Sequence, residues 1–212
     1  MNSVFYMKLA FTNIKKNAKT YVPYLLSCIG TITMFYMMSS LTESESISEL
    51  PIAGSLKAFL SMGVGIIGFF AVLFLFYTNS FLVKRRKKEF GLFNILGMEK
   101  RHISKVLFFE TVYTTVASLV LGIGIGIIFG KAMYLFLLRI LNFDVEMGFS
   151  IPLQSIETTV SLFLIIFLLS YLNTLRQIHL TKPIDLLKGG NQGEKEPKAK
   201  WITALIGLAC LL

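Results

Sequence analysis

An all-α, polytopic membrane fold is what this sequence predicts, and three observations carry that expectation. Uncharged apolar runs of about twenty residues recur along the chain, the length a helix needs to cross a hydrocarbon core of about 30 Å. Of the 212 residues 54% are hydrophobic, with 19 Phe and 9 Met, against about 45–50% in an ordinary soluble domain. The charges are gathered into short clusters between the runs. A membrane β-barrel would instead show segments of about ten residues with alternating polarity, and none is present.

Residues Met1 to Thr20 carry Lys8, Lys15, Lys16 and Lys19, while Val4, Met7, Phe11 and Ile14 recur at helical spacing. This reads as a basic amphipathic helix, residues 1–20, lying on the inner leaflet and feeding the first span. A secretory signal would need a small-residue cleavage site after its apolar run, and there is none of the Ala-x-Ala kind. The first span is Tyr21 to Leu41, with Pro23 in its first turn, where a missing amide donor costs little. The second runs from about Lys57 to Val83. The third starts near Ile103 and continues to about Phe129, with apolar residues extending to Leu141. The fourth is Ile156 to Leu175. A polar linker, 189–200, precedes a fifth apolar segment, 201–212, that opens on Trp201 and is too short to span; this is expected to be the start of a fifth span in a longer chain.

Orientation follows from the lysines and arginines. Eighteen of the 21 fall in the amino-terminal segment, in the connector between the second and third spans, and after the fourth span. Cytoplasmic loops carry such an excess, so the amino terminus is expected inside. The outward loops, Thr42–Leu56 and Asn142–Ser155, are short and acidic. The net charge of +9 is then a property of the cytoplasmic face, and nucleic acid is not an expected partner; the lipid bilayer is.

The connector is the most informative stretch. Five consecutive basic residues, Lys84 to Lys88, follow the second span directly. Each would cost about 2.5–3.5 kcal/mol inside hydrocarbon, so the stretch lies on the water side. Glu89, Phe90, Gly91, Leu92, Phe93, Asn94, Ile95, Leu96 and Gly97 come next, too apolar for a solvated tether. They are expected to form a short cytoplasmic helix with Gly97 at its C-cap. Its apolar residues cannot all face one way, so part of the set should bury against a partner and part against the membrane. Phe93, large and central, is the expected anchor.

Chemistry-bearing motifs are few. There is no GxxxxGK[ST] phosphate loop, no HExxH and no GxSxG, the arrangements that would place phosphate, zinc or a nucleophile. Catalytic, cofactor-binding and metal residues are therefore expected to be none in this chain. Cys28 and Cys210 sit inside apolar runs, and His102 and His179 lie in basic segments as surface residues. Gly122, Gly124 and Gly126 have no preceding strand to make a dinucleotide turn. Ser118, Gly122, Gly126 and Gly130, four apart, instead line one helix face on which another helix can approach closely. Glu110 is an intramembrane carboxylate about 10 Å into the third span at 1.5 Å per residue. Such a group is a functional candidate; the preferred reading is that it reaches the headgroups or pairs with a base of the connector.

The connector resembles the signature of the FtsX-like permease domain of ABC transporters. The matching residues are Lys87, Lys88, Glu89, Phe90, Gly91, Leu92, Leu96, Gly97, Ile103 and Glu110, with Asn94 standing where a basic residue is common. Leu9-Ala10 with Asn13–Asn17, and Thr181–Lys188, are similar to the family's flanking segments, so the resemblance covers most of Met1 to Lys188 and makes 21–188 a four-span permease domain. Only about fifteen residues follow the first span, which resembles the Bce-type permeases of Gram-positive bacteria. The resemblance implies resistance to antimicrobial peptides such as bacitracin and a separate ATPase subunit, as a dimer, docked on Glu89–Gly97. It further implies that ATP is held on that subunit, and that a sensor histidine kinase is a second partner. A permease that transmits force without moving substrate, and a sensor or scaffold without an ATPase, are the alternatives.

Overall fold

The computed structural model describes residues 3–44, 53–95, 97–140 and 151–180. They form five helices: α1 (Ser3–Lys16), α2 (Ala18–Thr42), α3 (Ala53–Ile95), α4 (Lys100–Ile140) and α5 (Leu153–Leu180). There is no strand among the described residues. The closing segment Thr181–Lys188, the linker 189–200, the run 201–212 and most of both acidic loops lie outside them. Four helices, α2 to α5, are long and apolar enough to cross a membrane.

Several helix ends differ from the sequence expectation. The first span begins at Ala18, because Ala18 and Lys19 are good helix formers; Pro23 is therefore inside the helix rather than in its first turn. The third span continues as one helix to Ile140, in keeping with the expected extension toward Leu141. Most consequentially, the connector helix is not separate. α3 runs unbroken from the second span through Lys84–Lys88 to Ile95, since Lys, Arg, Glu and Phe interpose no breaker and Gly91 alone does not end a helix. At 43 residues it is about 64 Å long, roughly twice the hydrocarbon thickness. It ends where Gly97 takes φ +86° and the Met98 N–H donates to the Phe93 carbonyl at 2.9 Å. That six-to-one bond is the Schellman closure, which needs the left-handed backbone glycine supplies.

α2 is the central helix and packs against α3, α4 and α5, whereas α3 and α4, neighbours in sequence, hardly touch along their lengths. The main core lies among α2, α3 and α5, with Ile32, Phe35, Leu75, Phe163 and Ile166 buried. A second, smaller core at the connector end holds Val83, Phe90, Ile103, Leu107 and Ile178. The outside of the bundle is apolar: Phe59, Phe69, Phe70, Phe74 and Tyr77 of α3 are all exposed. On a protein in water that band would be a liability, and in a bilayer it is the expected lipid face. α1 turns Tyr6, Ala10 and Asn13 toward α4 and leaves Val4, Met7 and Phe11, three of the four residues of the apolar stripe, exposed.

Candidate functional site

The inward face of α3 is set by helical phase. Ala71, Leu75, Asn79, Leu82, Arg86 and Phe90 recur at intervals of three and four, and all are buried. Because the helix does not stop at the end of the second span, this phase carries into the basic run and turns Arg86 inward while Lys84 and Arg85 stay exposed. Arg86 is 2% exposed, as is Glu110 opposite it on α4.

The two form a forked pair: Arg86 Nη1 and Nη2 donate to Glu110 Oε2 at 2.5 Å and Oε1 at 3.1 Å. Glu110 also accepts from the Tyr21 hydroxyl at 2.7 Å and from Asn13 Nδ2 at 3.1 Å. Arg86 in turn donates to the Tyr21 oxygen and, through Nε, to Glu89 Oε2 at 3.0 Å. Glu89 accepts from Asn17 Nδ2 at 3.0 Å, and the guanidinium lies near the rings of Tyr21 and Phe90 at 5.2 and 5.1 Å from their centroids. A buried charge is costly unless every donor and acceptor finds a partner, and two-pronged arginine–carboxylate geometry supplies this most fully. Six residues from α1, the α1–α2 junction, α2, α3 and α4 thus converge on one point. Beside them Asn79 donates to the Ser170 carbonyl at 3.3 Å and to Thr174 Oγ1 at 3.0 Å, which brings in α5. A cleft of about 20 Å³, lined in part by Asn79, Thr114, Thr174, Arg86 and Glu110, is large enough for one water.

Of the two readings of Glu110, the structure shows the pairing with a connector base. Arg86, Tyr21, Asn13 and Asn17 were not singled out from sequence. The signal that could have found Arg86 is the three–four phase running from Leu75 to Phe90, visible only if the second span and the connector are taken as one helix.

The connector residues divide differently from the expectation. Phe90 is 2% exposed, and Phe93, the expected anchor, packs against the same small core. Both point into the chain's own bundle, not to a partner. Leu92 and Ile95, at 53% and 61% exposed, are the outward residues. Glu89 is half-buried and Gly91 buried, while the side chains of Asn94 and Leu96 lie outside the described residues. His102 stacks on Tyr6 with ring centroids 6.0 Å apart.

Ser118, Gly122, Gly126 and Gly130 are all buried, the three glycines against α2. A Cβ on Gly122 would stand 2.7 Å from Ile32 Cγ2, one on Gly126 2.8 Å from Tyr36 Cδ1, and one on Gly130 3.4 Å from Ser40 Oγ. The approach is close enough for the Thr33 hydroxyl to donate to the Gly122 carbonyl at 3.0 Å. The partner of this face is within the chain.

Comparison with known proteins decides the family. Residues 61–181, which include the connector end of α3 and Glu110, match the family described as FtsX-like permease C-terminal. The chain belongs to the FtsX-like permease family. Among its relatives in Bacillus subtilis (strain 168), the uncharacterized ABC transporter permease YvcS is 31% identical over 96% of this chain and 32% of its own length. The bacitracin export permease protein BceB is 28% identical over 94% of this chain and 31% of its own. The bacitracin export permease protein BceB of Halalkalibacterium halodurans is 25% identical over 82% of this chain. The chain spans about a third of the length of the curated relatives it matches. This FtsX-like permease domain therefore holds its connector by a buried ion pair, with the signature residues Glu89 and Glu110 both contacting Arg86.

Proposed function

We propose that the chain is part of a permease subunit of an ABC transporter, driven by a separate ATPase whose movement is received at Glu89–Gly97. One observation carries this: α3 continues without a break from a membrane span into the connector and there exposes Leu92 and Ile95, apolar side chains on the same helix as the exposed cations Lys84 and Arg85. Buried apolar anchors contribute most of the energy of an interface, while rim charges contribute little. The charge asymmetry supports a cytoplasmic position for this end, where ATP is available. Antimicrobial peptides or their lipid-carrier complexes are the substrate class, supported by the two relatives named as bacitracin export permeases. A sensor histidine kinase belongs to the same proposal as a second partner.

The test is co-purification of the ATPase with the full-length permease. The Leu92→Ala/Ile95→Ala double variant should recover at least tenfold less ATPase at unchanged permease levels, whereas Lys84→Ala should recover nearly as much as wild type. Equal recovery with the double variant removes the docking assignment. A wild-type permease that recovers no ATPase removes the transporter reading itself.

A further inference from the structure

Beyond its part in holding the bundle together, the buried cluster joins the connector to the spans by directional bonds. α3 and α4 scarcely touch along their lengths and meet at the connector end, so a displacement of the Glu89–Ile95 extension reaches the third span there, through the small core of Phe90, Ile103 and Leu107 and through Arg86. That side chain holds Glu89 on its own helix, the Tyr21 hydroxyl on α2 and both oxygens of Glu110 on α4. Glu110 passes the contact on to Asn13 of α1, and Asn17 at the α1–α2 junction holds Glu89. A planar, five-donor guanidinium fixes direction as well as distance, unlike the point charge of a lysine. Packing alone would let the α3 extension roll against Ile103, Leu107 and Ile178, because dispersion contacts have little directionality.

We infer that Arg86, with Tyr21 and Glu110, is a positioning group that makes the cytoplasmic end of α3 move as one body with α2 and α4, so that work received at the connector is transmitted to the spans. This rests on the proposed ATPase-driven reading, and its test is built so that the two can fail separately.

A single cysteine at Glu43, exposed at the end of α2 remote from the cluster, is placed in a cysteine-free full-length permease carrying its ATPase in lipid vesicles. Its reaction rate with a soluble thiol reagent is measured without nucleotide and with ATP plus vanadate. In the otherwise wild-type protein the rate should change at least fivefold. In Tyr21→Phe, which removes one hydroxyl, and in Arg86→Lys, which keeps the charge but loses the fork, that change should fall below twofold while ATPase recovery stays within twofold of wild type. A residue that merely stabilises the fold would alter protein yield and leave the nucleotide response intact. The inference is overturned if either variant keeps the full response. It is also overturned if the wild-type rate ignores nucleotide while the ATPase is bound, or if Tyr21→Phe fails to accumulate in the membrane, which would make the hydroxyl a folding requirement alone. Loss of ATPase from the wild-type complex would instead count against the transporter reading.

Discussion

The helix pair α2–α4 is held at two places by opposite means. At one end α2 reaches into a charged cluster: its Tyr21 hydroxyl donates to Glu110 of α4, which also accepts twice from Arg86 of α3 and once from Asn13 of α1. Twelve residues along α4, or about 18 Å, the contact is made of almost nothing: Gly122, Gly126 and Gly130 receive Ile32, Tyr36 and Ser40 where no side chain stands in the way. Both lie on one stripe of α4, since Glu110, Thr114, Ser118, Gly122, Gly126 and Gly130 are spaced by four and all buried.

The two contacts do different work. In lipid there is no hydrophobic drive between helices, so the bare seam associates by close van der Waals fit. A run of glycines at a fixed interval is nearly self-similar, however; sliding α2 by one turn brings Ile32 over Gly126 and Tyr36 over Gly130. The charged cluster has no such freedom, because a slip of α2 carries the Tyr21 hydroxyl away from Glu110 and Arg86 and leaves each buried charge short of a hydrogen bond. The seam supplies attraction and the charged cluster supplies register, the best-attested use of buried ionic groups.

The sharpest way to break this comparison is to remove one charge. Glu110→Leu leaves Arg86 buried without its partner and should cost about 3–5 kcal/mol, read as loss of folded permease in the membrane and of resistance to denaturing detergent. Arg86→Met/Glu110→Leu should recover most of that loss, since apolar replacement of a whole buried pair is often neutral. Register should then suffer: a Ser40→Cys/Gly130→Cys disulfide, efficient with the charges present, should weaken, and Ser40→Cys/Tyr134→Cys, one turn off, should appear. A double variant with an unchanged cross-linking pattern would assign register to the seam after all.

The seam is tested by size. Gly126→Leu should cost about 1–3 kcal/mol by overpacking against Tyr36, seen as lower membrane levels and premature detergent unfolding. Gly124→Leu, two residues away where an added Cβ meets nothing within 4 Å, should behave as wild type. Similar behaviour of both would mean that close approach contributes little.

The smallest effect is expected at the far end. Gly130→Ala adds a Cβ 3.4 Å from Ser40 Oγ, an ordinary contact, and gains helix propensity of about 1 kcal/mol over glycine. It should leave detergent resistance unchanged or slightly raised. A clear loss would show that the seam is tight along its whole length.

The sequence by itself determined the class, four of the spans and the glycine face. These depend on run length, charge clustering and a repeat of four, which are properties of neighbours along the chain. It also singled out Glu110, because a carboxylate well inside an apolar run stands out without knowledge of any other helix. Tertiary structure alone decided that Arg86 turns inward from the basic run and that Leu92 and Ile95 face out. Local sequence treats Lys84 to Lys88 as equivalent, and the distinction arises only when α3 continues unbroken and its phase meets α4. Arg86 and Glu110 are 24 positions apart, and Tyr21 is 65 from Arg86. Phe93 reads as a partner anchor from sequence for the same reason: a large apolar side chain announces that it will be buried, and only the packing of α3, α4 and α5 says against what.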